Sequence, residues 1–412
     1  MRVLVMASPV PSHLLPLLPL LTAAREAGHE LLLAAQPDLA ETARAAGLPL
    51  VEVGSEQREI QTRLRDRAAG AEDADGSGGS RREPPWAALA RRWQARVLDV
   101  LDPSLAVARS WRPDVVVADP LDYASLVAGG LVGVPVVHHR WGVDSLSTVG
   151  FDRVRAALRG ICADRGLPGG LPGPDLVLDP CPPGLQHPEA APARPIRFVA
   201  DRSGTAPAWV AERTAPRRVC VTLGLRTVAL EGSELPTRLA TALGALPGVE
   251  VVVTVEPGLR DAFGPLPPSV RLVDPAPLGH VLGSCDAVVH HGGSGTGLAA
   301  VAEGLPQLVV PQIPWTAEHG ERIAACTAGL TLADADAQRD PRRIAAAVGE
   351  LLADPRYAEG AGRLRAELHR MPAPAEAVRV LEDLASGGAG TARPRVEAGS
   401  SRAAHSRVGR NG

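Results

Sequence analysis

The stretch DAVVHHGGSGTGLAAVAEGLP, at residues 286–306, combines histidines, hydroxyl side chains and glycines where an apolar run passes into a helical pattern. A turn of this kind presents free backbone N–H groups at the carboxyl edge of a parallel sheet, and glycine lets an anion approach them closely. Two adjacent phosphates suit such a nest better than one carboxylate. The turn is therefore predicted to bind a diphosphate, with His291, Ser294 and Thr296 as further donors.

Other glycine-rich motifs fit this turn less well. A Walker A loop needs a lysine, and the chain contains none. A nucleophile elbow reads G-x-S-x-G, but Thr296 stands where the final glycine after Ser294 would be. A Rossmann fingerprint has a different glycine spacing. A packing turn that binds nothing stays open as an alternative, although the histidine pair before the glycines argues against it.

A second candidate for chemistry lies near the N-terminus, where His13 follows the apolar run at residues 3–7. If that run is a parallel strand, the imidazole lies at the lip of the sheet and can act as a base at neutral pH. A catalytic histidine needs an orienting carboxylate, and Asp119 ends another apolar run of the same half. Asp122 is the rival carboxylate. A capping or core role for His13, and a surface or N-cap role for the aspartate, are the alternatives.

Composition excludes several classes of function. All 43 basic residues are arginine, so neither a Schiff-base lysine for pyridoxal phosphate nor a P-loop lysine exists. A net charge of −3 and 3% aromatic residues give no case for nucleic-acid binding. The five cysteines form no CxxC pair, which indicates neither a disulfide framework nor a zinc site and favours a reducing, cytoplasmic location.

The leucine-rich N-terminus, which begins with Met1 and Arg2, has some features of a secretory signal. Four prolines interrupt it and His13 stands in its middle, so a signal is not predicted. Uninterrupted apolar runs fall short of the roughly 18 residues of a spanning helix, so no membrane partner is expected either.

Strand and helix patterns alternate along the chain. Three apolar runs and two helical patterns fill the first 54 residues, one of those helices covering the proline-interrupted leucines, and the alternation restarts at RRVCVTLG. This pattern predicts an α/β protein with two doubly wound, Rossmann-like parallel sheets. The charged, Gly/Ser-rich residues 55–85 are predicted to form a mobile loop. The expected organisation is a first domain, a linker, a second domain and a disordered tail, at residues 1–195, 196–215, 216–385 and 386–412.

Several motifs resemble one family. VVHHGGSGT…EGLPQLVVPQ resembles the donor-binding motif of the family 1 nucleotide-sugar glycosyltransferases, and MRVLVMASPVPSHLLPLLPLLTAAREAGHE resembles their N-terminal acceptor-side motif. DPCPPGLQ and RRVCVTLG resemble the bacterial branch that glycosylates antibiotics and other natural products, mostly from dTDP-deoxysugars. The resemblance covers roughly residues 1–380. It implies the GT-B fold, in which two facing Rossmann-like domains enclose the reaction in a cleft.

The resemblance also implies which residues of the second half bind the donor. They are expected at the diphosphate (Thr222, Gly224, Arg226, His291, Gly292, Gly293, Ser294, Gly295, Thr296), at the base (Val273, Pro275) and at the sugar hydroxyls (Glu318, His319). The chain departs from the family in three ways. The stacking tryptophan near the base is missing, Arg226 replaces a small hydroxyl residue, and Glu318-His319 replaces an acidic residue followed by glutamine.

On the acceptor side, the resemblance implies that His13 is the general base and Asp119 its partner. His138, His139 and Trp141 end another strand of the first half. Adjacent histidines on a strand point to opposite faces, so they do not readily share a metal. His138 and Trp141 are instead predicted to line the acceptor pocket.

No metal or cofactor is expected. DAD at residues 73–75 and 334–336 is similar to the metal-binding DxD of the other glycosyltransferase fold, but both copies lie in predicted loops. The predicted function is inverting transfer of a sugar from a nucleoside diphosphate, with dTDP the expected nucleotide, to a hydroxyl of a small lipophilic natural product. A homodimer is a further expectation.

Two alternatives stay open. One is a nucleotide-sugar 2-epimerase of the same fold, and the other is a non-catalytic sugar-nucleotide-binding auxiliary subunit. The presence of both His13 and Asp119 argues against the auxiliary subunit, because a protein that only binds needs no base.

Overall fold

The computed structural model describes residues 1–58, 86–144, 146–224 and 232–387. Three predicted features fall wholly or largely outside these ranges: the loop at 55–85, Arg226 and the tail. Ser386 and Gly387, predicted as the start of that tail, are instead the last two residues of a helix.

Seven parallel strands form the first sheet, in the order β3-β2-β1-β4-β5-β6-β7. They are β1 Arg2–Met6, β2 Glu30–Ala35, β3 Leu50–Glu52, β4 Val115–Ala118, β5 Val136–His139, β6 Leu176–Asp179 and β7 Arg194–Pro195. Chain order reverses between β1 and β4, where Met6 pairs with Ala118. At such a switch point the loops after two neighbouring strands open a crevice at the carboxyl edge. The segments that carry His13 and Asp119 therefore begin side by side.

The helices of the first half include α1 Pro11–Leu14, α2 Leu18–Glu26, α3 Ala40–Ala45, α4 Trp86–Trp111, α5 Tyr123–Val132, α6 Leu146–Val149 and α7 Phe151–Asp164, with 3₁₀ turns at Leu15–Leu17 and Pro37–Leu39. The single helix expected over the leucine-rich N-terminus is divided into three short pieces. Pro11, Pro16 and Pro19 each stand in the first turn of a piece, where the missing N–H costs no helical hydrogen bond.

Six parallel strands form the second sheet, in the order β10-β9-β8-β11-β12-β13. They are β8 Arg217–Thr222, β9 Val249–Thr254, β10 Val270–Val273, β11 Ala287–His290, β12 Gln307–Val309 and β13 Gly329–Thr331. The switch point lies between β8 and β11, where Thr222 pairs with His290. The glycine turn therefore opens at the crevice of this sheet, as the sequence predicted.

The helices that follow β7 along the chain are α8 Glu234–Gly244, α9 Leu278–Leu282, α10 Ser294–Glu303, α11 Pro314–Ala325, α12 Ala335–Arg339, α13 Pro341–Ala353, α14 Pro355–Arg370 and α15 Pro374–Gly387, with 3₁₀ turns at Ala208–Val210 and Pro257–Phe263. Within the described ranges, no helix is both long and apolar enough to cross a membrane.

The strands β6, β7 and β13 were not predicted. β6 and β7 lie in a stretch of the sequence that is rich in proline and glycine, and they join the edge of the first sheet through short pairings such as Leu178 with Arg194. Runs of two to four residues carry too little periodicity to be recognised, so the neighbouring strand decides their conformation.

The last helix returns to the first half. All of α15 except its last two residues falls within residues 216–385, the range predicted for the second domain, but Ala377, Val378 and Leu381 belong to the hydrophobic cluster that contains Val3 and Leu17. The apolar face of α15 therefore packs on the first half of the protein. The position of this helix in the sequence, after the strands of the second sheet, predicts the wrong half. The two halves are therefore joined by α15 as well as by the segment between β7 and β8.

Candidate active site

The first site residue is His13 in α1, the short helix after β1. Its Nδ1 lies 3.1 Å from Oδ1 of Asp119, which follows β4. The side chain of His13 is 19% exposed, whereas that of Asp119 is fully buried. The sequence predicted this pair, and the switch point between β1 and β4 brings it together.

The carboxylate of Asp119 is held by several donors. The backbone N–H of Ser8 donates to Oδ2 at 2.6 Å, and that of Leu121 donates to Oδ1 at 3.0 Å. Burial raises the pKa of Asp119, but the nearby charges of His13 and Arg96, together with the hydrogen bonds, outweigh it and lower this pKa to about 2. An ionised carboxylate accepts a hydrogen bond from Nδ1–H, and in the neutral imidazole this tautomer carries its lone pair on Nε2, the form that a general base needs.

The rival carboxylate, Asp122, has a different role in the structure. Its Oδ1 accepts from the backbone N–H of Ser125 at 2.9 Å and caps α5, while its Oδ2 pairs with Nη2 of Arg96 at 2.7 Å. Burial and the neighbouring Asp119 raise the pKa of Asp122, against the effect of Arg96. The N-cap alternative raised for the aspartate therefore describes Asp122.

Arg96 was not recognised from the sequence. It lies on α4, bonds the carbonyl of Ala7 at 3.0 Å and Oε1 of Gln36 at 3.2 Å, and also contacts Oγ of Ser8. It thus ties α4 to the loop that positions His13. No local signal could reveal this, because its partners come from the segments that follow β1, β2 and β4.

Trp141 lies directly against the candidate base. The indole and the His13 imidazole have ring centroids 4.2 Å apart, with the planes tilted by 43°. His138, the other residue predicted to line an acceptor pocket, is only 4% exposed, and burial lowers its pKa to about 4. Of these two residues, Trp141 is the one that retains partial exposure.

The glycine turn has the shape that was predicted for it. Gly293 precedes α10, and the first-turn N–H groups of Ser294, Gly295 and Thr296 have no carbonyl partner within the helix. Gly292 has φ +91°, and a Cβ there would lie 2.2 Å from the carbonyl oxygen of Thr316. Only glycine fits at this position, because the conformation is left-handed and the neighbouring backbone is already in contact.

Two other predicted phosphate neighbours lie at the end of β8. Thr222 is 6% exposed, and Gly224 follows it with φ +75°. A Cβ on Gly224 would lie 2.9 Å from Cε1 of His291. The turn after β8 therefore packs directly on the histidine of the glycine turn.

The predicted role of His319 needs a correction. Its side chain is 2% exposed, and its Nε2 is 3.0 Å from Oε1 of Gln307 beneath the turn, so it does not face a sugar. It packs over Gly297, where only a glycine leaves room for the ring. Glu318, its neighbour on α11, is partly exposed. Consecutive residues of a helix point in different directions, so one can be exposed while the next is buried. A comparison of motifs along the sequence does not show this difference.

The predicted base-binding segment lies at the end of β10. The side chain of Val273 is 3% exposed and belongs to a hydrophobic cluster, so only its backbone is available to a nucleotide. Pro275, two residues on, is exposed.

The two halves meet beside the candidate base. A Cβ on Gly142 would lie 2.9 Å from Cβ of Ser294 and 3.5 Å from a methyl of Leu298. Gly142 follows Trp141, and Ser294 is the first residue of α10. Residues 140–144, which include Trp141 and lie against His13, form a wall that touches the glycine turn.

A buried polar cluster fixes this wall. Arg140 is 3% exposed and pairs through Nε with Asp144 and through Nη1 with Asp179, both at 2.9 Å. Gln186 donates from Nε2 to the carbonyl of Gly142 at 3.1 Å and to Oδ2 of Asp179 at 2.8 Å. Gln186 is the last residue of DPCPPGLQ, so this motif holds the contact between the halves.

Among the residues that the structure describes, no group of three or more His, Cys, Asp or Glu side chains is arranged to hold a metal ion. The DAD at 334–336 is a helix cap, since Asp334 accepts from the backbone N–H of Ala337 at 3.2 Å and Asp336 pairs with Arg339 at 2.7 Å. The other copy, at 73–75, lies outside the described ranges.

Two family models match the chain. The N-terminal domain of erythromycin biosynthesis protein CIII-like proteins matches residues 22–224, and the C-terminal domain of the same proteins matches residues 238–384. Tylactone mycaminosyltransferase of Streptomyces fradiae is 33% identical, over 93% of this chain and 92% of that protein. TDP-daunosamine transferase DnrS of Streptomyces peucetius is 30% identical, over 97% and 99% of the two chains.

Among solved structures, the spinosyn rhamnosyltransferase SpnG complexed with thymidine diphosphate is similar at a TM-score of 0.82 and 38% identity, over 93% of this chain and 100% of that one. The parallel sheets, the two switch points and this similarity identify the fold as GT-B. The chain belongs to the erythromycin biosynthesis protein CIII-like family, and it is a nucleotide-sugar glycosyltransferase.

Proposed function

We propose that this glycosyltransferase moves a deoxysugar from a dTDP-sugar to a hydroxyl of a lipophilic natural-product aglycone, with inversion at the anomeric carbon. The names of the relatives support the donor and acceptor classes, since SpnG has been solved with thymidine diphosphate and with a spinosyn aglycone. Neither the 2-epimerase nor the auxiliary subunit is supported, because relatives of 30% identity or more over most of the chain are transferases.

In this proposal His13 is the general base. Nε2 takes the proton of the acceptor hydroxyl while the hydroxyl oxygen attacks the anomeric carbon, and the bond from that carbon to the diphosphate oxygen breaks. Attack from the face opposite the leaving group inverts the configuration. Asp119 keeps Nδ1 protonated and stabilises the imidazolium that forms.

The leaving diphosphate is assigned to the glycine turn. His291, the hydroxyl of Thr296 and the first-turn N–H groups of α10 would neutralise its developing charge, which the helix dipole also favours. The contact between Gly142 and Ser294 is the single observation that carries the proposal. It supports the proposal because it would set the proposed base and the proposed leaving-group site against each other, as a direct displacement requires.

The donor assignment is tested by binding. Calorimetry with dTDP, UDP and GDP, in the presence of EDTA, should give the tightest binding for dTDP. His291→Ala and Thr296→Val should weaken that binding, whereas His369→Ala, at an exposed histidine of the same half, should not. Wild-type affinity in both turn variants would remove the phosphate role.

A homodimer also stays a prediction, to be checked by light scattering.

A further inference from the structure

A buried glutamine lies directly beneath the glycine turn. Gln307 begins β12 and is fully buried, with His290 and His319 on either side of it, also buried. None of the three side chains faces the surface that would receive a ligand. A polar group in such a place must satisfy its hydrogen bonds within the protein, because burial without partners is costly.

The bonds of this amide fix its orientation. Nε2 of Gln307 donates to the carbonyl oxygen of Gly297 at 3.2 Å. Oε1 lies 2.9 Å from Nε2 of His290 and 3.0 Å from Nε2 of His319. Because an amide oxygen only accepts, both imidazoles must carry their proton on Nε2.

That tautomer extends the network to the other end of the turn. With Nε2 protonated, Nδ1 of a neutral His290 is an acceptor, and the backbone N–H of Gly292 donates to it at 3.2 Å. The single amide of Gln307 thus holds Gly292 at the start of the turn, through His290, and Gly297 at its end, directly.

The network also determines which groups are left for a ligand. The N–H of Gly292 and the carbonyl of Gly297 both point inward and are used. The N–H groups of Ser294, Gly295 and Thr296, between these two anchors, have no helical partner. Burial, with the neighbouring histidines, lowers the pKa of His290 and of His319, the latter to about 4, so the network is neutral at pH 7.

We propose that Gln307, His290 and His319 are positioning residues that hold the glycine turn in the shape that receives the diphosphate of the donor. This inference rests on the proposed function, since it assumes that the diphosphate binds at residues 291–296. The three side chains act from below through Gly292 and Gly297 and make no contact with the donor.

The test compares a nucleoside diphosphate with its nucleoside. Gln307→Met keeps the length of the side chain and removes all three hydrogen bonds. We expect dTDP binding to weaken by about tenfold, because the turn loses both anchors and must be ordered when the diphosphate binds, while thymidine binding changes little. Calorimetry measures both affinities, and circular dichroism confirms the fold. Should Gln307→Met not fold, Gln307→Glu, which keeps the volume and the acceptor oxygens, is measured in the same way.

Gln338→Met is the matched control. Gln338 is another buried glutamine of the same half, 8% exposed, and its Nε2 donates to the carbonyls of Pro311 and Leu332, neither of which belongs to the glycine turn. This variant should bind dTDP and thymidine as the wild type does, even if its unfolding temperature falls.

The outcomes separate the inference from the function on which it rests. Unchanged dTDP binding in Gln307→Met, or an equal loss for dTDP and thymidine, would overturn the positioning role. If His291→Ala and Thr296→Val weaken dTDP binding in the same experiments, the phosphate site stands and only the inference fails. If those two variants also bind dTDP normally, both fail.

Discussion

The imidazole of His13 lies against the indole of Trp141, with ring centroids 4.2 Å apart. Asp119 bonds Nδ1 of the same imidazole, so the ring is held both in its plane and across its face. Trp141 in turn continues into Gly142, which contacts Ser294 of the glycine turn. The proposed base is thus connected to the proposed leaving-group site through two consecutive residues.

His13→Ala should lower turnover by about two to four orders of magnitude, the usual contribution of a positioned general base. Nucleotide affinity should stay near the wild-type value, because the glycine turn lies on the other half. The wild-type pH profile should rise on an acid limb that is lost in the variant. Steady-state kinetics with a hydroxyl acceptor and calorimetry with dTDP measure these effects. Near wild-type turnover in His13→Ala would exclude it as the base.

Asp119→Asn and Asp122→Asn should behave differently. The first removes the charge that holds Nδ1–H, so we expect a loss of turnover of about a hundredfold or more, with little change in nucleotide affinity. The second removes one partner of the Arg96 pair, and its main effect should be a lower unfolding temperature. Turnover and thermal unfolding are measured on both variants. Equal losses of turnover would show that the two carboxylates act as one unit.

Gly142→Ala tests the contact between the halves. The added methyl would lie 2.9 Å from Cβ of Ser294, so the wall and the turn must separate by a few tenths of an ångström. Misplacing reacting groups costs rate more than binding, so turnover should fall by at least about tenfold while the dTDP affinity changes less. Gly173→Ala, where a Cβ meets nothing within 4 Å, is the control. The assignment of this contact fails if both variants turn over at the wild-type rate.

The free energy of unfolding should fall as the pH is lowered below 6.5, at pH values where most carboxylates are still ionised. Burial lowers the pKa of His138, His139 and His319 from 6.5 to about 4, so between these values the unfolded chain binds protons that the folded protein does not. Each such histidine lowers the free energy of unfolding by about 1.4 kcal/mol per pH unit in that window. Stability should therefore be level above pH 6.5 and decline below it. The raised pKa of Asp122 acts in the opposite direction and reduces the decline.

Urea unfolding at pH 7.5, 6.0 and 5.0 measures this effect through the midpoint of the transition. His139→Gln should show a shallower decline than the wild type, because it removes one of the buried histidines. His369→Gln, at an exposed position, should decline as the wild type does. A midpoint that is independent of pH over this range would contradict the prediction.

Local sequence patterns were enough to predict the two parallel sheets. They also predicted the carboxyl ends of β1, β4 and β11, which precede His13, Asp119 and the glycine turn. Apolar runs followed by helical periodicity define βαβ units, and their handedness leaves few arrangements of the chain. The glycine turn could be predicted as an anion site because a site of this kind depends on backbone N–H groups and on the absence of side chains. His13 and Asp119 could be paired because both follow strands of one half, although 106 residues separate them.

The tertiary structure decided what depends on burial and on contacts between distant segments. It placed His319 beneath the turn and not at the sugar, set Trp141 on His13, and gave Arg96 its partners. Gln307 could have been noticed as a polar residue at the start of an apolar run, but its meaning depends on His290 and on Gly297. Hydrogen bonds between side chains require positions accurate to a few tenths of an ångström. The periodicity of a sequence indicates which face of a helix or strand a residue occupies. Only the packing of the folded chain determines which other residues its side chain contacts.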